Sequence, residues 1–409
     1  MSLPSPYAAL RIADFRKLLL GNGLATLARE AQIVVVGWQV YSLTHDPLSL
    51  GMIGLAEALP FIAVALYAGH VADRVVRRTL ALAGVFGLFL SAIALLLLTI
   101  IPGAIGPDRV WPMYLVVSLS ATARSFVRPA FFALSAEVMP RELYANAIAW
   151  RTSTWHFAAV LGPAIGGMLY GFAGASAAYG AVIGGMGLSL VIIAVLQHRV
   201  RPAPPAEEVP LAESLGSGVR FVFREPVILG AMTLDLFAVL FGGAVALLPA
   251  FATLLNAGPE GLGVLRAAPA VGSIVTGIVI AHRPPFRRAG FAIFACVAAF
   301  GVCMIAFALS RIFWLSFALL FLSGVFDNVS VVIRSTLVQT RTPEHMLGRV
   351  SAVNQIFIGS SNEIGAFESG LAAKLLGIVP SVVFGGCMTL LVVAITAWRA
   401  PKLRKLTTI

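Results

Sequence analysis

Between Arg78 and Asp108 the chain runs for twenty-nine residues, Thr79 to Pro107, without a charged side chain. Few folds accept such a run. A bilayer core about 30 Å thick needs about 20 apolar residues per helix, and comparable charge-free runs recur at Leu236–Pro259, Ala289–Ser310 and Leu375–Trp398. In hydrocarbon every backbone N–H and C=O must be satisfied within the segment, so runs of this kind are helices. Composition agrees, because 59% of the 409 residues are apolar and 11% are charged, which excludes a string of soluble domains.

The net charge of +11 is scattered over short connections rather than gathered on a polar domain, so it reads as topology and not as a nucleic-acid surface. The N-terminal segment carries Arg11, Arg16 and Lys17 into an apolar stretch too long for a signal peptide, and the first helix is expected to be retained. Cys296 and Cys303 lie seven residues apart on one predicted helix, about 10 Å by helical rise, too far for a disulfide. With Cys387 they are expected to be packing residues, and neither a metal site nor a cofactor is implied.

Breaking the apolar runs at Gly, Pro and charge clusters predicts twelve helices, at 18–43, 48–72, 79–101, 111–135, 146–172, 176–197, 227–255, 262–281, 289–309, 312–337, 347–374 and 379–398. The segment Thr152–Gln197 is too long for one crossing and is divided at GFAGASAAYG. Alternate connections hold nearly all the basic residues, from Arg11, Arg16 and Lys17 through Arg74, Arg77 and Arg78 to Arg399, Lys402, Arg404 and Lys405. The positive-inside rule then places both termini in the cytoplasm. The long polar stretch after helix six predicts halves at 1–198 and 226–409, joined by a linker at 199–225 with a short surface helix at 211–223. VMPRELYANAIAW and RTPEHMLGRVSAV, at the same place in each half, support a repeat of six helices.

Two motifs point further. GHVADRVVRR reads G-x-V-A-D-R-x-x-R-R and resembles the loop signature of the major facilitator superfamily, matched by Gly69, Ala72, Asp73, Arg74, Arg77 and Arg78, with Val76 where the second glycine falls. LGPAIGG, with Gly162, Pro163, Gly166 and Gly167, resembles the end of that superfamily's antiporter motif. Glycines four apart let helix backbones approach, and proline permits a bend. Three longer stretches, beginning at VGWQVYSL, RPAFFALS and GRVSAVNQ, are similar to the branch that contains bacterial enterobactin exporters. The resemblance implies an all-α fold of two pseudo-symmetric six-helix bundles, helices 1, 4, 7 and 10 around a central cavity, and transport by alternating access. It also implies that Asp73 meets the N-terminal end of helix 11 in a cytoplasmic latch, where helix electrostatics favour a carboxylate.

Charges inside spans are costly and are functional candidates by default. In helix 1, Asn22, Thr26, Arg29 and Gln32 form one stripe with Glu30 at its edge; such a stripe also suits a polar seam between helices. Asp235 sits deep in helix 7, and a buried carboxyl suits a site that loads and releases a proton. Glu368 is a further candidate on helix 11. Arg124 and Asp327 each precede a matching proline (Pro140, Pro343) by sixteen residues, so Arg124 or Arg128 is expected to meet Asp327 as a gate.

The expectation is a multi-pass protein of a bacterial inner membrane. Its partners would be the lipid bilayer, a small-molecule substrate and protons, with no nucleic acid, and it would act as a monomer. Proton-coupled efflux of a siderophore-like or drug-like molecule is preferred. An importer of the same fold is the nearest rival, and a non-transporting sensor or membrane-embedded enzyme is the rival of another class. No G-x-x-x-x-G-K-[ST] loop is present to support ATP drive.

Overall fold

The computed structural model describes residues 7–197, 211–282, 286 and 288–407, and at Gly69, Asp73 and Arg74 it describes the helical backbone alone. The described residues form α1 (Ala13–Thr44), α2 (Pro47–Arg74), α3 (Arg77–Ile100), α4 (Trp111–Val138), α5 (Tyr144–Ala194), α6 (Leu211–Arg224), α7 (Pro226–Gly242), α8 (Leu248–Leu254), α9 (Gly258–Ala281), α10 (Ala289–Leu309), α11 (Phe313–Arg341), α12 (Glu344–Leu376), α13 (Ile378–Arg399) and α14 (Pro401–Arg404). Among these residues there is no strand. Eight segments, with α5 taken once and α7 and α8 together, are long and apolar enough to cross a membrane. The other long helices, α1, α4 and α12, are diluted by polar residues, among them Arg29 and Glu30, Arg124 and Arg128, and Glu363 and Glu368.

Two interruptions have local causes. Gly174, at φ 81° and ψ 173°, breaks the 51-residue α5 inside the stretch GFAGASAAYG, in backbone space that a side chain disfavours. The helix expected at 227–255 is not continuous: α7 ends at Gly242, a 3₁₀ turn spans Ala244–Leu247, and α8 follows. Gly243 leaves helical geometry at ψ 47°, the Phe300 ring fills the place a side chain on Gly242 would take, and Pro249 in the first turn of α8 supplies no backbone donor.

Unit one consists of the described residues within Met1–Thr44, Leu59–Glu207 and Gly258–Val264. Its core joins Leu80, Val85 and Leu88 of α3, Phe131 and Leu134 of α4, and Val182, Met186 and Ile193 of α5. The Ser189 hydroxyl donates to the Gly21 carbonyl at 2.7 Å, tying α5 to α1. A buried polar chain links three helices: the Tyr179 hydroxyl donates to Gln39 Oε1 at 2.8 Å, and Gln39 Nε2 donates to Thr99 Oγ1 at 3.0 Å. Such groups must be paired when buried.

Unit two consists of the described residues within His45–Ala58, Glu208–Ala257 and Leu265–Ile409. The start of α2 belongs here because Gly51 and Gly54 lie directly on Gly370 and Ala366 of α12, with an ion pair of 2.9 Å between Asp46 and Lys374 beside them. Leu211–Arg224 forms the helix α6, where Val222 packs with Met232, Val338 and Val353 and Arg349 Nη1 donates to Ser217 Oγ at 3.1 Å. Residues 198–210, the first part of the linker, lie outside the described residues. Cys303 is buried as expected, whereas Cys387 is exposed on α13 rather than packed inside.

α9 and α11 cross with their backbones in contact. A Cβ on Gly324 would lie 2.0 Å from the Pro269 carbonyl oxygen, and one on Gly272 would lie 2.1 Å from that of Phe321. Without a hydrophobic drive between helices in lipid, such small-residue crossings carry association. Gly324→Ala is therefore expected to destabilise the protein by about 1–3 kcal/mol, seen as a lower melting temperature in detergent. Gly184→Ala, where nothing lies within 4 Å, is expected to leave the melting temperature unchanged or raise it.

Candidate functional site

The polar stripe of α1 divides when folded. Asn22, Thr26, Arg29 and Glu30 are part-exposed on unit one, but Gln32 is buried within it, at 7% exposure. The Thr26 hydroxyl donates to the Asn22 carbonyl at 2.8 Å, so its polarity is largely spent on its own helix. Arg29 Nη1 pairs with Glu30 Oε1 at 2.9 Å. Arg128, exposed on α4, feels the like charges of Arg29 and Arg124. The sequence pattern did not single out Arg151, which shares a small crevice with Asn22.

The loop signature has structural employment in unit one. Arg77 pairs with Glu137 at the end of α4, at 2.8 Å. Arg78 donates through Nε to the Ile193 carbonyl at 3.3 Å and through Nη2 to that of Ala194, which supplies donors that the last carbonyls of α5 lack within the helix. Val76 adopts φ −54°, a value any residue accepts, which is why valine can stand where the signature has glycine. The side chains of Asp73 and Arg74, and with them the expected latch, lie outside the described residues.

The glycines of the antiporter-like motif are contact points. A Cβ on Gly162 would meet Glu30 Cβ at 2.6 Å, one on Gly166 the Ala31 carbonyl oxygen at 2.6 Å, and one on Gly167 the Pro259 carbonyl oxygen at 2.4 Å. The motif thus seats α5 on α1 and on the first turn of α9, all within unit one.

In unit two, Asp235 of α7 pairs with Arg334 of α11. Both are buried, at 8% and 3% exposure. Asp327, two turns earlier on α11, is part-exposed and feels the charges of both. Seven-residue spacing puts Asp327 and Arg334 on one helix face, but Arg334 as the partner of Asp235 is not legible in the sequence, because nothing in a single sequence relates positions on α7 and α11. Glu368 is part-buried on α12 and makes no ion pair with this cluster among the described residues. Arg124 and Asp327 stand equally far from the last residues of their helices, Val138 and Arg341, and each is placed within its own unit.

Comparison with known proteins gives these two polar faces a context. The sequence is 24% identical over 373 residues to the enterobactin exporter EntS of Citrobacter koseri, covering 91% of this chain and 88% of that one. It is also 24% identical over 388 residues to YfiS of Bacillus subtilis, an uncharacterised MFS-type transporter, covering 92% and 89%. Among solved structures, a POT family transporter in complex with 5-aminolevulinic acid superposes with a TM-score of 0.73 at 11% identity, covering 96% of each chain. That likeness establishes the fold alone. Neither the family nor these relatives are enzymes. The pattern of the Major Facilitator Superfamily matches residues 18–366, and the chain belongs to that family of multi-pass membrane transporters.

Proposed function

We propose that this transporter exports a small organic molecule across a bacterial inner membrane in exchange for protons. Twelve crossings in two repeated halves, 1–198 and 226–409, with both termini cytoplasmic, complete the reading. They follow when α5 crosses twice and α1, α4 and α12 cross despite their charges. The protein acts as a monomer.

One observation carries the coupling. Asp235, Asp327 and Arg334 place two carboxylates beside one guanidinium on unit two. With both acids ionised the cluster holds a net charge of minus one inside the span, and uptake of one proton cancels it. The cost of a bare charge in hydrocarbon, several kcal/mol, favours that uptake. Asp235 is held by Arg334 out of solvent, so the part-exposed Asp327 is the member a proton reaches first. This moves Asp327 from a gate to the coupling group and leaves Asp235 to set its field. Efflux is favoured by the antiporter-like motif and by relatives named as exporters.

The substrate is to be found by comparing metabolites retained by a deletion strain with those of its parent. In proteoliposomes with that substrate, Asp327→Asn and Asp235→Asn are each expected to reduce transport driven by a pH gradient at least tenfold without loss of insertion. Full gradient-driven transport by both variants would rule the coupling out. Accumulation against the direction of export would support the importer instead.

Breaking the buried pair has a separate consequence for stability. Arg334→Gln strands a carboxylate in a site 8% exposed and is expected to cost about 3–5 kcal/mol. Asp235→Asn with Arg334→Gln, which removes both charges, should regain most of the lost melting temperature in detergent.

A further inference from the structure

We infer that the end of unit two at α14 is a docking surface for an anionic phospholipid, with the phosphate on the basic platform around α14 and the acyl chains along α13. This goes beyond the transport reading and does not rest on it.

The platform is built by packing and hydrogen bonds. The chain leaves helical geometry at Ala400, at φ −113° and ψ 63°, and turns into α14, whose Leu403 is fully buried in the core that includes Val227 and Ala231 of α7 and Ala289 and Ile293 of α10. The tail then runs beside the start of α10. The Gly290 N–H donates to the Leu406 carbonyl at 3.0 Å, and the Ala289 N–H donates to that of Thr407 at 3.3 Å. Those are donors that a helix cannot satisfy within itself, so the tail is tied down by them. With Leu403 turned inward, Arg399, Lys402, Arg404 and Lys405 stay exposed, and so does Arg288, next to the tied Ala289. No ion pair joins any of the five to a carboxylate among the described residues. The sequence has no Asp or Glu between Glu260 and Asp327 or after Glu368, and Glu225, just before α7, faces Arg341 at 3.7 Å. A topology signal needs only the charges; it does not account for a tail seated so that all five are exposed together.

The neighbouring surface is apolar. Leu391, Ile395 and Trp398 follow one another on α13 at intervals of four and three residues, which puts them on one face. All three are exposed, Trp398 at 73%, as is Phe291 in the first turn of α10. The Arg399 guanidinium lies 5.2 Å from the centroid of the Trp398 ring, so the apolar row ends in an indole with a cation on its face. Tryptophan is favoured at the level of the lipid headgroups, and basic clusters just beyond a span attract acidic lipids. A soluble anion would use the cations and leave the apolar row idle. A zwitterionic lipid would use the row and leave the cations unmatched. An acidic phospholipid uses both.

The test uses the purified full-length protein in a neutral detergent. Its probes are phosphatidylglycerol and phosphatidylcholine with the same acyl chains, the chain-free headgroup glycerophosphoglycerol, and polyglutamate. Phosphatidylglycerol is expected to raise the melting temperature saturably, phosphatidylcholine at the same mole fraction to raise it much less, and the two soluble anions to leave it unchanged. Arg399→Gln with Lys402→Gln, and separately Arg404→Gln with Lys405→Gln, should each weaken the apparent affinity for phosphatidylglycerol roughly tenfold. Arg311→Gln, an exposed position beyond the opposite end of α10, should leave that affinity as it is. Equal stabilisation by phosphatidylcholine would overturn the inference in favour of an ordinary lipid shell, and equal stabilisation by glycerophosphoglycerol or polyglutamate in favour of a soluble anion or an acidic protein. It is also overturned if both paired variants bind phosphatidylglycerol as the parent does, or if Arg311→Gln weakens binding as much as they do.

Discussion

Removing charge from water is the constraint on which this molecule turns. A span that buries an ion without compensation loses several kcal/mol, and the long charge-free runs avoid that loss. Charges do stand within α1, α2, α4, α5, α7, α9, α11 and α12, and several of the described ones are handled in two ways. Asp235 and Arg334, or Arg29 and Glu30, neutralise each other inside one unit. Arg128 and Asp327 are not neutralised so simply, and they are exposed and part-exposed on their units. Compensation supports the scaffold; incomplete compensation leaves something for a ligand or a proton to do.

Close backbone contact is the second principle, and it follows from the first. Lipid tails are as apolar as leucine, so burial gives helices little reason to associate, and van der Waals contact at small residues takes over. The motif Gly162, Pro163, Gly166 and Gly167 serves this in unit one, and Gly272 and Gly324 serve it in unit two. The side chains that would normally fill such interfaces are absent, and elsewhere in unit one Gln39 and Tyr179 are paired with each other.

Much of the fold was legible in the sequence because membrane helices advertise themselves locally. Charge-free runs located the spans, and GFAGASAAYG located the break at Gly174. The interruption at Gly243 was not foreseen, since a Gly-Gly pair and a proline inside an otherwise apolar run are also tolerated in continuous membrane helices. The same limit governed the site. Spacing placed Asp327 and Arg334 on one face, because that relation lies within a helix, but the pairing of Asp235 with Arg334 crosses between helices and leaves no trace in spacing. Gln32 fell on the polar stripe by periodicity yet is buried, because a stripe defined at 100° per residue is wider than the surface it leaves open.

Arg124 and Asp327 stand at one register, counted from the ends of α4 and α11, with opposite signs. If the halves descend from one ancestral six-helix unit, the duplication preserved geometry while the side chains at this register diverged into a base and an acid. The two copies are then no longer interchangeable. A chimera that joined two first halves would carry an arginine at this register in both, and one that joined two second halves would carry an aspartate in both.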